Sequence, residues 1–201
     1  MVRFLPSTLQ RKNERLIMTK IRLAGVLFLA AFLAYGIGAS IGSVPLMLLN
    51  SAIVIGIGAL LFPTIAAHDR RVAIIYLVAR IWEGVLLGVG AVLGGTTGEM
   101  LYQAGMTGLG IGSIFFCLVL LRAGLVPAFL AIWGLIGYGI FAIGALLELF
   151  GVAGIGLWCS IPGGLFEVFF GVWLVVRGLR TRARTEPTSE AVTTAPSGRA
   201  G

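Results

Sequence analysis

Six apolar stretches fill most of this chain and constrain its fold more than any other feature. A helix that crosses a hydrocarbon core of about 30 Å needs about 20 apolar residues, because no water is present there to satisfy an open backbone. The hydrophobic fraction of 58% also exceeds what a soluble domain of 201 residues can bury. We therefore predict an all-α integral membrane protein with six transmembrane helices, at residues 21–40, 45–66, 72–94, 103–121, 125–147 and 153–176.

The basic residues predict the orientation of these helices, because Lys and Arg concentrate in cytoplasmic loops. Of the 15 basic residues, all but Arg80 fall on the side that six crossings assign to both termini. The loops predicted for the other side, at residues 41–44, 95–102 and 148–151, contain none. We predict cytoplasmic N and C termini in a prokaryotic plasma membrane. The net charge of +7 then reflects topology and indicates no nucleic-acid binding.

The chain divides into three parts by composition. Residues 1–20 form a basic cytoplasmic head, and residues 21–177 form the six-helix membrane domain. Residues 178–201 are rich in Arg, Thr, Ser and Pro without apolar periodicity, which predicts a disordered cytoplasmic tail. Tyr102 is expected in an outer loop and Trp158 at the outer interface, where aromatic side chains gather.

Glycine is unusually frequent, with 30 residues. Lipid tails provide no hydrophobic drive for helix association, so close backbone approach must contribute to it. Pairs of glycines four residues apart recur at 38/42, 84/88, 90/94 and 108/112 and predict tight helix–helix packing. A weaker pattern places similar pentapeptides at 57–61 and 143–147, and Trp82-Glu83 matches Phe166-Glu167. These offsets suggest two inverted three-helix halves, as in several transporter folds.

Three charged side chains, Arg80, Glu83 and Glu167, lie deep within predicted spans, whereas Arg22 lies at the end of the first span. At 100° per residue, Arg80 and Glu83 share a face of small residues and Tyr76, opposite a face of bulky apolar residues. In span six, Glu167 likewise shares a face with small residues, opposite a face of bulky apolar residues. At 1.5 Å per residue they lie about 12 and 16 Å from the cytoplasmic end, and Glu167 lies about 14 Å from it. A charge at that depth costs at least about 2.5–3.5 kcal/mol, so pairing is expected. We predict that Arg80 bridges both carboxylates and that spans three and six are in contact.

One arginine against two carboxylates leaves a charge uncompensated, so one Glu is expected to hold a proton. Such a group could bind a proton or a small cationic ligand. The predicted binding site contains Arg80, Glu83 and Glu167, with Tyr76 on the same helix face and Asn50 in span two. Asn50 could instead form an interhelical hydrogen bond. The alternative for the charged residues is a buried ionic clamp that only fixes helix packing.

Pro162, Gly163 and Gly164 interrupt the sixth span about one turn before Glu167. Proline removes a backbone donor and clashes with the preceding turn, and glycine weakens the helix further. A broken helix of this kind lines the site in many transporters. The alternative is a helix that begins late, with Ser160 as its cap. That helix would be too short to cross a bilayer, so a kink is favoured.

Enzymatic chemistry has little support in the sequence. No Walker loop, no Gly-x-Ser-x-Gly and no paired histidine ligands are present. His68 is the only histidine, and Cys117 and Cys159 are expected to be small buried residues. We therefore predict no catalytic residue, no metal and no cofactor.

Several segments resemble a known family. They include Leu61-Phe62-Pro63, the run from Tyr76 to Glu83, Trp133-Gly134-Leu135-Ile136-Gly137 and the run from Glu167 to Gly178. In these segments the chain resembles the uncharacterised bacterial membrane proteins described as domain of unknown function 4386 (DUF4386). The resemblance implies a membrane fold, with Arg80, Glu83 and Glu167 at motif positions, and implies no activity. The connection between spans three and four is shorter in this chain than the family usually has.

Three functional hypotheses follow. The first is a small transporter or ligand-binding membrane protein with a protonatable site at the midplane. The second is a non-catalytic membrane subunit or scaffold, whose glycine-rich faces pack against a partner protein or a second copy. The third, an intramembrane enzyme, has the least support because no nucleophile and base are legible. The lipid bilayer is the partner common to all three.

Overall fold

A computed structural model describes residues 7–179, and within that range the backbone forms six α-helices and no strand. All six are long and apolar enough to cross a membrane, which confirms the predicted number of spans. Most of the predicted disordered tail and the first six residues of the basic head lie outside the described residues. The helices are α1 (Ser7–Ile41), α2 (Val44–Ala66), α3 (Arg70–Leu93), α4 (Gly95–Arg122), α5 (Ala128–Leu149) and α6 (Ile155–Val176).

Two helices extend beyond the predicted spans. α1 has 35 residues and begins at Ser7, so much of the predicted head is helical. α4 begins at Gly95, and the predicted outer loop at residues 95–102 is wrong. Gly94 and Gly95 have φ values of 62° and 56°, which only glycine adopts without strain, and they turn the chain between α3 and α4 with one residue between the helices. Tyr102 consequently lies in α4 rather than in a loop.

The six helices form a closed ring in chain order. Each helix packs against its neighbours in the sequence, and α1 packs against α6 to complete the ring. Because short connections make successive helices antiparallel, the basic residues from Arg15 onwards, apart from Arg80, gather at one end of the ring. We call this the basic end. The other end holds Glu99 and Glu148 and no Lys or Arg among the described residues, and we call it the acidic end.

The ring corrects two predictions. α3 and α6 lie on opposite sides of it and do not pack as helices, so the predicted contact between spans three and six is wrong at the level of the backbone. Two inverted halves would be related by a twofold axis in the membrane plane, which reverses the order of helices around a ring. The helices α1–α3 and α4–α6 follow one another in the same direction. The hypothesis of inverted halves is therefore wrong for this ring.

The predicted inward faces are confirmed on both charged helices. In α3, Tyr76, Arg80 and Glu83 are buried, whereas Val78, Trp82, Val85 and Val89 are exposed on the outer surface. In α6, Gly163, Gly171 and Leu174 are buried, and the bulky residues Leu165, Phe169, Val172 and Val176 are exposed. An exposed apolar belt on every helix is the surface that a bilayer requires.

Glycines bring neighbouring helices of the ring into close contact. A methyl group added at Gly25 of α1 would lie 2.7 Å from the carbonyl oxygen of Gly171 in α6. One added at Gly84 of α3 would lie 2.7 Å from the carbonyl oxygen of Ser51 in α2. Tight packing at small residues is thus confirmed, and these glycines pack within the chain.

The two halves of the ring are packed differently. The half toward the basic end is filled by side chains with no exposed surface, among them Ile21, Ile57, Leu61, Ile65, Ala73, Leu120 and Leu174. The half toward the acidic end contains two cavities. The interior of the ring is therefore closed at the basic end and hollow toward the acidic end. A third cavity, of about 470 Å³, lies at the basic end between the α2–α3 turn and the end of α4, where His68, Asp69 and Arg122 line it.

The α1–α6 contact provides a test of the ring. We expect Gly25→Ala to lower the free energy of unfolding by about 1–3 kcal/mol, since the added methyl group meets rigid backbone. Gly36→Ala on the same helix is the matched control, because nothing lies within 4 Å of its added methyl group. Thermal unfolding of both variants in one detergent measures the difference. Equal stability of the two variants would contradict the packing described.

Candidate functional site

Arg80 connects opposite sides of the ring through its side chain. Its Nη1 donates a hydrogen bond of 3.0 Å to Glu83 Oε2, and its Nη2 donates one of 2.8 Å to Glu167 Oε1. Nε donates a third bond of 3.0 Å to the Tyr76 hydroxyl. The predicted bridge between the two carboxylates is confirmed, and it joins α3 to α6 across the centre although the two helices do not pack.

A guanidinium group suits this position because its five N–H donors point in fixed, divergent directions. The side chain of Arg80 is 1% exposed, so each N–H that lacked a partner would be costly. Two aromatic rings add to the ion pairs: the guanidinium carbon lies 5.1 Å from the centre of the Phe28 ring and 5.3 Å from that of Tyr76. Such cation–π contacts are strongest where water is excluded.

Tyr138 of α5 completes the cluster and was not predicted from the sequence. Its hydroxyl donates a hydrogen bond of 2.7 Å to Glu167 Oε1, the oxygen that Arg80 also contacts. The side chain is almost fully buried, and a buried tyrosine hydroxyl usually has a partner. That rule is the signal that could have pointed to Tyr138. We define the ionic cluster as Arg80, Glu83, Glu167, Tyr76 and Tyr138.

An aromatic layer closes the space below the cluster, toward the basic end. The rings of Tyr76 and Phe116 stack with centres 4.4 Å apart, and Phe170 meets Phe116 edge to face at 5.7 Å. Phe28 meets Phe170 at 5.5 Å. Phe166 and Phe170 were not predicted to face inward, because the pattern singled out the small and charged residues of α6. The layer separates the ionic cluster from the basic end.

A cavity of about 390 Å³ lies on the acidic-end side of the cluster, and we call it the inner cavity. Glu83 and Glu167 both line it, together with Asn50 and the aromatic residues Phe32, Tyr35, Tyr102, Tyr138 and Phe141. Asn50 lines this cavity, and its role in binding stays a prediction. Neighbouring Ser51 bonds the Met47 carbonyl within its own helix. Ligand sites typically measure about 300–1,000 Å³ and combine an apolar wall with few polar groups, as this cavity does.

A larger cavity, of about 910 Å³, opens beyond the inner cavity at the acidic end, and we call it the vestibule. Tyr35 of α1 and Tyr102 of α4 line both cavities. Their rings stack with centres 5.6 Å apart and planes inclined by 15°. Because α1 and α4 face each other across the ring, this pair forms a bar between the vestibule and the inner cavity.

α6 stays helical through Pro162, Gly163 and Gly164, from Ile155 to Val176. The predicted break in the helix is therefore wrong, and so is the alternative of a late start at Ser160. A bend of the axis at Pro162 stays a prediction. The glycine at 163 permits close packing instead, because a methyl group added there would lie 3.4 Å from the carbonyl oxygen of Gly137 in α5.

Glu148 holds the start of α6 in place. Its Oε1 accepts hydrogen bonds of 2.9 Å from the backbone N–H groups of Gly154 and Gly156, and its Oε2 accepts one of 2.8 Å from the Gln103 amide. A carboxylate at a helix N-terminus stabilises the unpaired donors and the helix dipole. Glu148 falls within the loop predicted at residues 148–151, but it lies in α5 and joins α4, α5 and α6 at the acidic end. Both of its oxygens are used in this role.

Unlike Glu148, the carboxylates of the inner cavity do not use both of their oxygens in hydrogen bonds. Within the described residues, Glu83 and Glu167 each use one oxygen in the cluster, while Glu83 Oε1 and Glu167 Oε2 have no hydrogen-bond partner. The Glu167 side chain is 24% exposed, toward the cavity that it lines. With all three charged groups ionised, the cluster has one more negative than positive charge. The arrangement can accept a proton or a cation from the cavity side.

Comparison with known proteins finds a family model that is similar to part of the chain. Residues 96–178 match the model described as Domain of unknown function (DUF4386). The family resemblance predicted from the sequence is confirmed for residues 96–178, and for the segments that precede them it stays a prediction. The DUF4386 match covers α4, α5 and α6, including Tyr138 and Glu167, whereas Arg80 and Glu83 precede it. No curated protein and no solved structure matches the chain.

Removing the arginine tests how far the cluster supports the fold. We expect Arg80→Met to lower the free energy of unfolding by about 3–5 kcal/mol, because it leaves two carboxyl groups in the interior without a cation. Arg122→Met at the end of α4 is the control and should change stability little, since it lies outside the cluster. SDS titration of both variants in mixed micelles measures the effect. A small loss for Arg80→Met would show that the bridge contributes little.

Proposed function

We propose that this protein is a small transporter or ligand-binding membrane protein that takes up a small organic cation at Glu83 and Glu167. The observation that carries the proposal is the inner cavity lined by these two carboxylates, which share a single buried arginine, Arg80, as their cation. The proposed role is binding and movement of a ligand, without enzymatic chemistry.

Charge supports a cationic ligand. An uncompensated negative charge in a medium of low dielectric constant attracts a cation far more strongly than it would in water. The free oxygens Glu83 Oε1 and Glu167 Oε2 can accept N–H donors or approach a quaternary ammonium group. Aromatic walls add cation–π attraction, and five aromatic side chains line the cavity. A proton and an organic cation would compete for the same carboxylates.

The packing of the ring supports a transporter whose ligand site is accessible from one end only. The interior is hollow toward the acidic end, and the aromatic layer of Phe28, Tyr76, Phe116 and Phe170 closes it toward the basic end. A transporter has a state in which its site is accessible from one side only. The alternative of a subunit or scaffold predicts glycine-rich faces that await a partner. Gly25, Gly84 and Gly171 instead pack inside the ring, which favours the first hypothesis.

We further propose that both termini are cytoplasmic in a prokaryotic plasma membrane, since the basic end carries the described Lys and Arg loop residues. The acidic end then faces outward. In a variant with Cys117 and Cys159 replaced by alanine, we expect Glu99→Cys to react with an impermeant maleimide on intact cells. Arg122→Cys should react only after lysis. The opposite labelling pattern would contradict this orientation.

A cation-binding assay tests the proposed function. We expect tetramethylammonium to raise the thermal stability of the purified protein, by about 2.7 kcal/mol at 100 times its dissociation constant. Glu167→Gln should abolish the shift because it removes the negative charge, whereas Glu99→Gln at the acidic end should keep it. The groups facing the two carboxylates are Arg80, Tyr76 and Tyr138.

Two outcomes would reject the proposal. If no ammonium or guanidinium compound shifts the wild type, and Glu167→Gln only unfolds earlier, the cluster is a structural clamp. If Glu83→Gln and Glu167→Gln both retain the full shift, the cation binds elsewhere. In the first case, a stoichiometric companion found by co-purification would support the scaffold alternative.

A further inference from the structure

The contact between α1 and α6 changes along its length. Toward the basic end the helices touch, and a methyl group added at Gly171 would lie 3.1 Å from the carbonyl oxygen of Gly25. About two turns further toward the acidic end, one added at Gly164 would have the Phe32 ring, 3.7 Å away, as its nearest neighbour. At Gly36 the same addition meets nothing within 4 Å. The two helices therefore diverge toward the acidic end.

The inner cavity reaches the outer surface of the protein through this gap. Its wall includes Phe32 of α1 and Leu157, Ile161 and Leu165 of α6. These side chains belong to the exposed apolar belt, since Phe32 is 53% exposed, Leu165 48% and Leu157 72%. One continuous cavity thus connects the apolar belt with Glu83 and Glu167. We call the gap between Phe32, Gly164 and Leu165 the lateral opening.

The other route to the carboxylates is obstructed. A ligand that comes from the vestibule along the axis of the ring meets the stacked rings of Tyr35 and Tyr102. At the lateral opening, by contrast, only the edge of the Phe32 ring lies beside Gly164. In this state of the protein, the bilayer has the more open path to the inner cavity.

We propose that the ligand is an amphiphilic monovalent cation, an organic cation with a bulky apolar body, that enters from the bilayer through the lateral opening. This inference rests on the proposed function and names its substrate class. An apolar body partitions into the hydrocarbon region and so concentrates beside Phe32 and Leu165. Its charge then moves toward Glu167, whose side chain is the more accessible of the two carboxylates.

The apolar body and the charge match different parts of the same cavity. Phe141, Leu109 and Val54 form an apolar wall of the cavity. Its polar groups come from the two carboxylates, Asn50, Ser160 and three tyrosines. A small hydrated cation would have to lose its water to cross the apolar belt, whereas an amphiphilic cation is only weakly hydrated there. The lateral opening therefore selects for an apolar body, and the cluster selects for a positive charge.

Two permanent cations separate this inference from the proposed function. We would measure the binding of tetraphenylphosphonium and tetramethylammonium to the protein in lipid nanodiscs, by equilibrium dialysis and by stopped-flow fluorescence. Wild type should bind tetraphenylphosphonium at least about tenfold more tightly than tetramethylammonium. Glu167→Gln should abolish the binding of both. Neither cation can gain or lose a proton, so the charge of the ligand is the same in every measurement.

Variants at the lateral opening test the route. Gly164→Phe should slow the association of tetraphenylphosphonium by at least about tenfold, because it fills the gap beside Phe32. Phe32→Ala should accelerate association. Gly139→Phe on α5 is the matched control, since an added methyl group there also meets nothing within 4 Å. If Gly164→Phe fails to fold, Phe32→Ala still tests the route through the lateral opening.

The outcomes distinguish the two proposals. If wild type binds neither cation, the proposed function fails and this inference fails with it. If tetramethylammonium binds as tightly as tetraphenylphosphonium and Glu167→Gln abolishes both, the proposed function stands and the amphiphilic substrate class is overturned. If Gly164→Phe and Phe32→Ala associate at the wild-type rate while Tyr35→Ala is faster, the ligand enters through the vestibule and the lateral route is overturned.

Discussion

The buried guanidinium of Arg80 imposes a condition on every helix around it. A positive charge at this depth persists only when its donors have partners and its charge is balanced. Tyr76 and Glu83 supply two partners from the same helix, but the third, Glu167, comes from the opposite side of the ring. α3 and α6 must therefore stay close enough for one side chain to span the centre, and α5 must present Tyr138 to the same oxygen. The Arg80 side chain therefore limits how far apart α3 and α6 can lie while the bridge is intact.

Glycine and the aromatic layer determine how the central space of the ring is filled. A ring of six helices leaves a central space. A membrane protein can fill this space with side chains or leave it as a cavity. Below the cluster, Phe28, Phe116 and Phe170 fill it, and Gly25 and Gly171 draw α1 and α6 together around them. Above the cluster, the stacked rings of Tyr35 and Tyr102 bar the axis but leave a cavity on either side. The cavity and the divergence of α1 from α6 are consequences of the same change in packing.

Much of this could be predicted from the sequence, for physical reasons that also explain the failures. Apolar length determined the six spans, and the cost of a lone charge predicted that Arg80 would pair with Glu83 and Glu167. Depth along a helix is calculable from its rise, but the order of helices around a ring is not, so α3 and α6 were wrongly expected to pack. Tyr138 was missed because it carries no charge, and because no periodic pattern in its glycine-rich apolar span marked it as facing inward. Tyr102 was misplaced because two glycines with positive φ shortened the turn before it.

A structural role and a binding role for the cluster are compatible, because they use different atoms. The clamp requires Glu83 Oε2 and Glu167 Oε1, which Arg80 and Tyr138 engage. The remaining oxygens lie on residues that line the inner cavity and carry the charge that the arginine does not balance. A cation that neutralised this charge would strengthen the cluster without displacing any of its bonds. Binding at this position would therefore stabilise the same contacts that hold α3 and α6 across the ring, and a ligand at the site would be coupled directly to the packing of the helices around it.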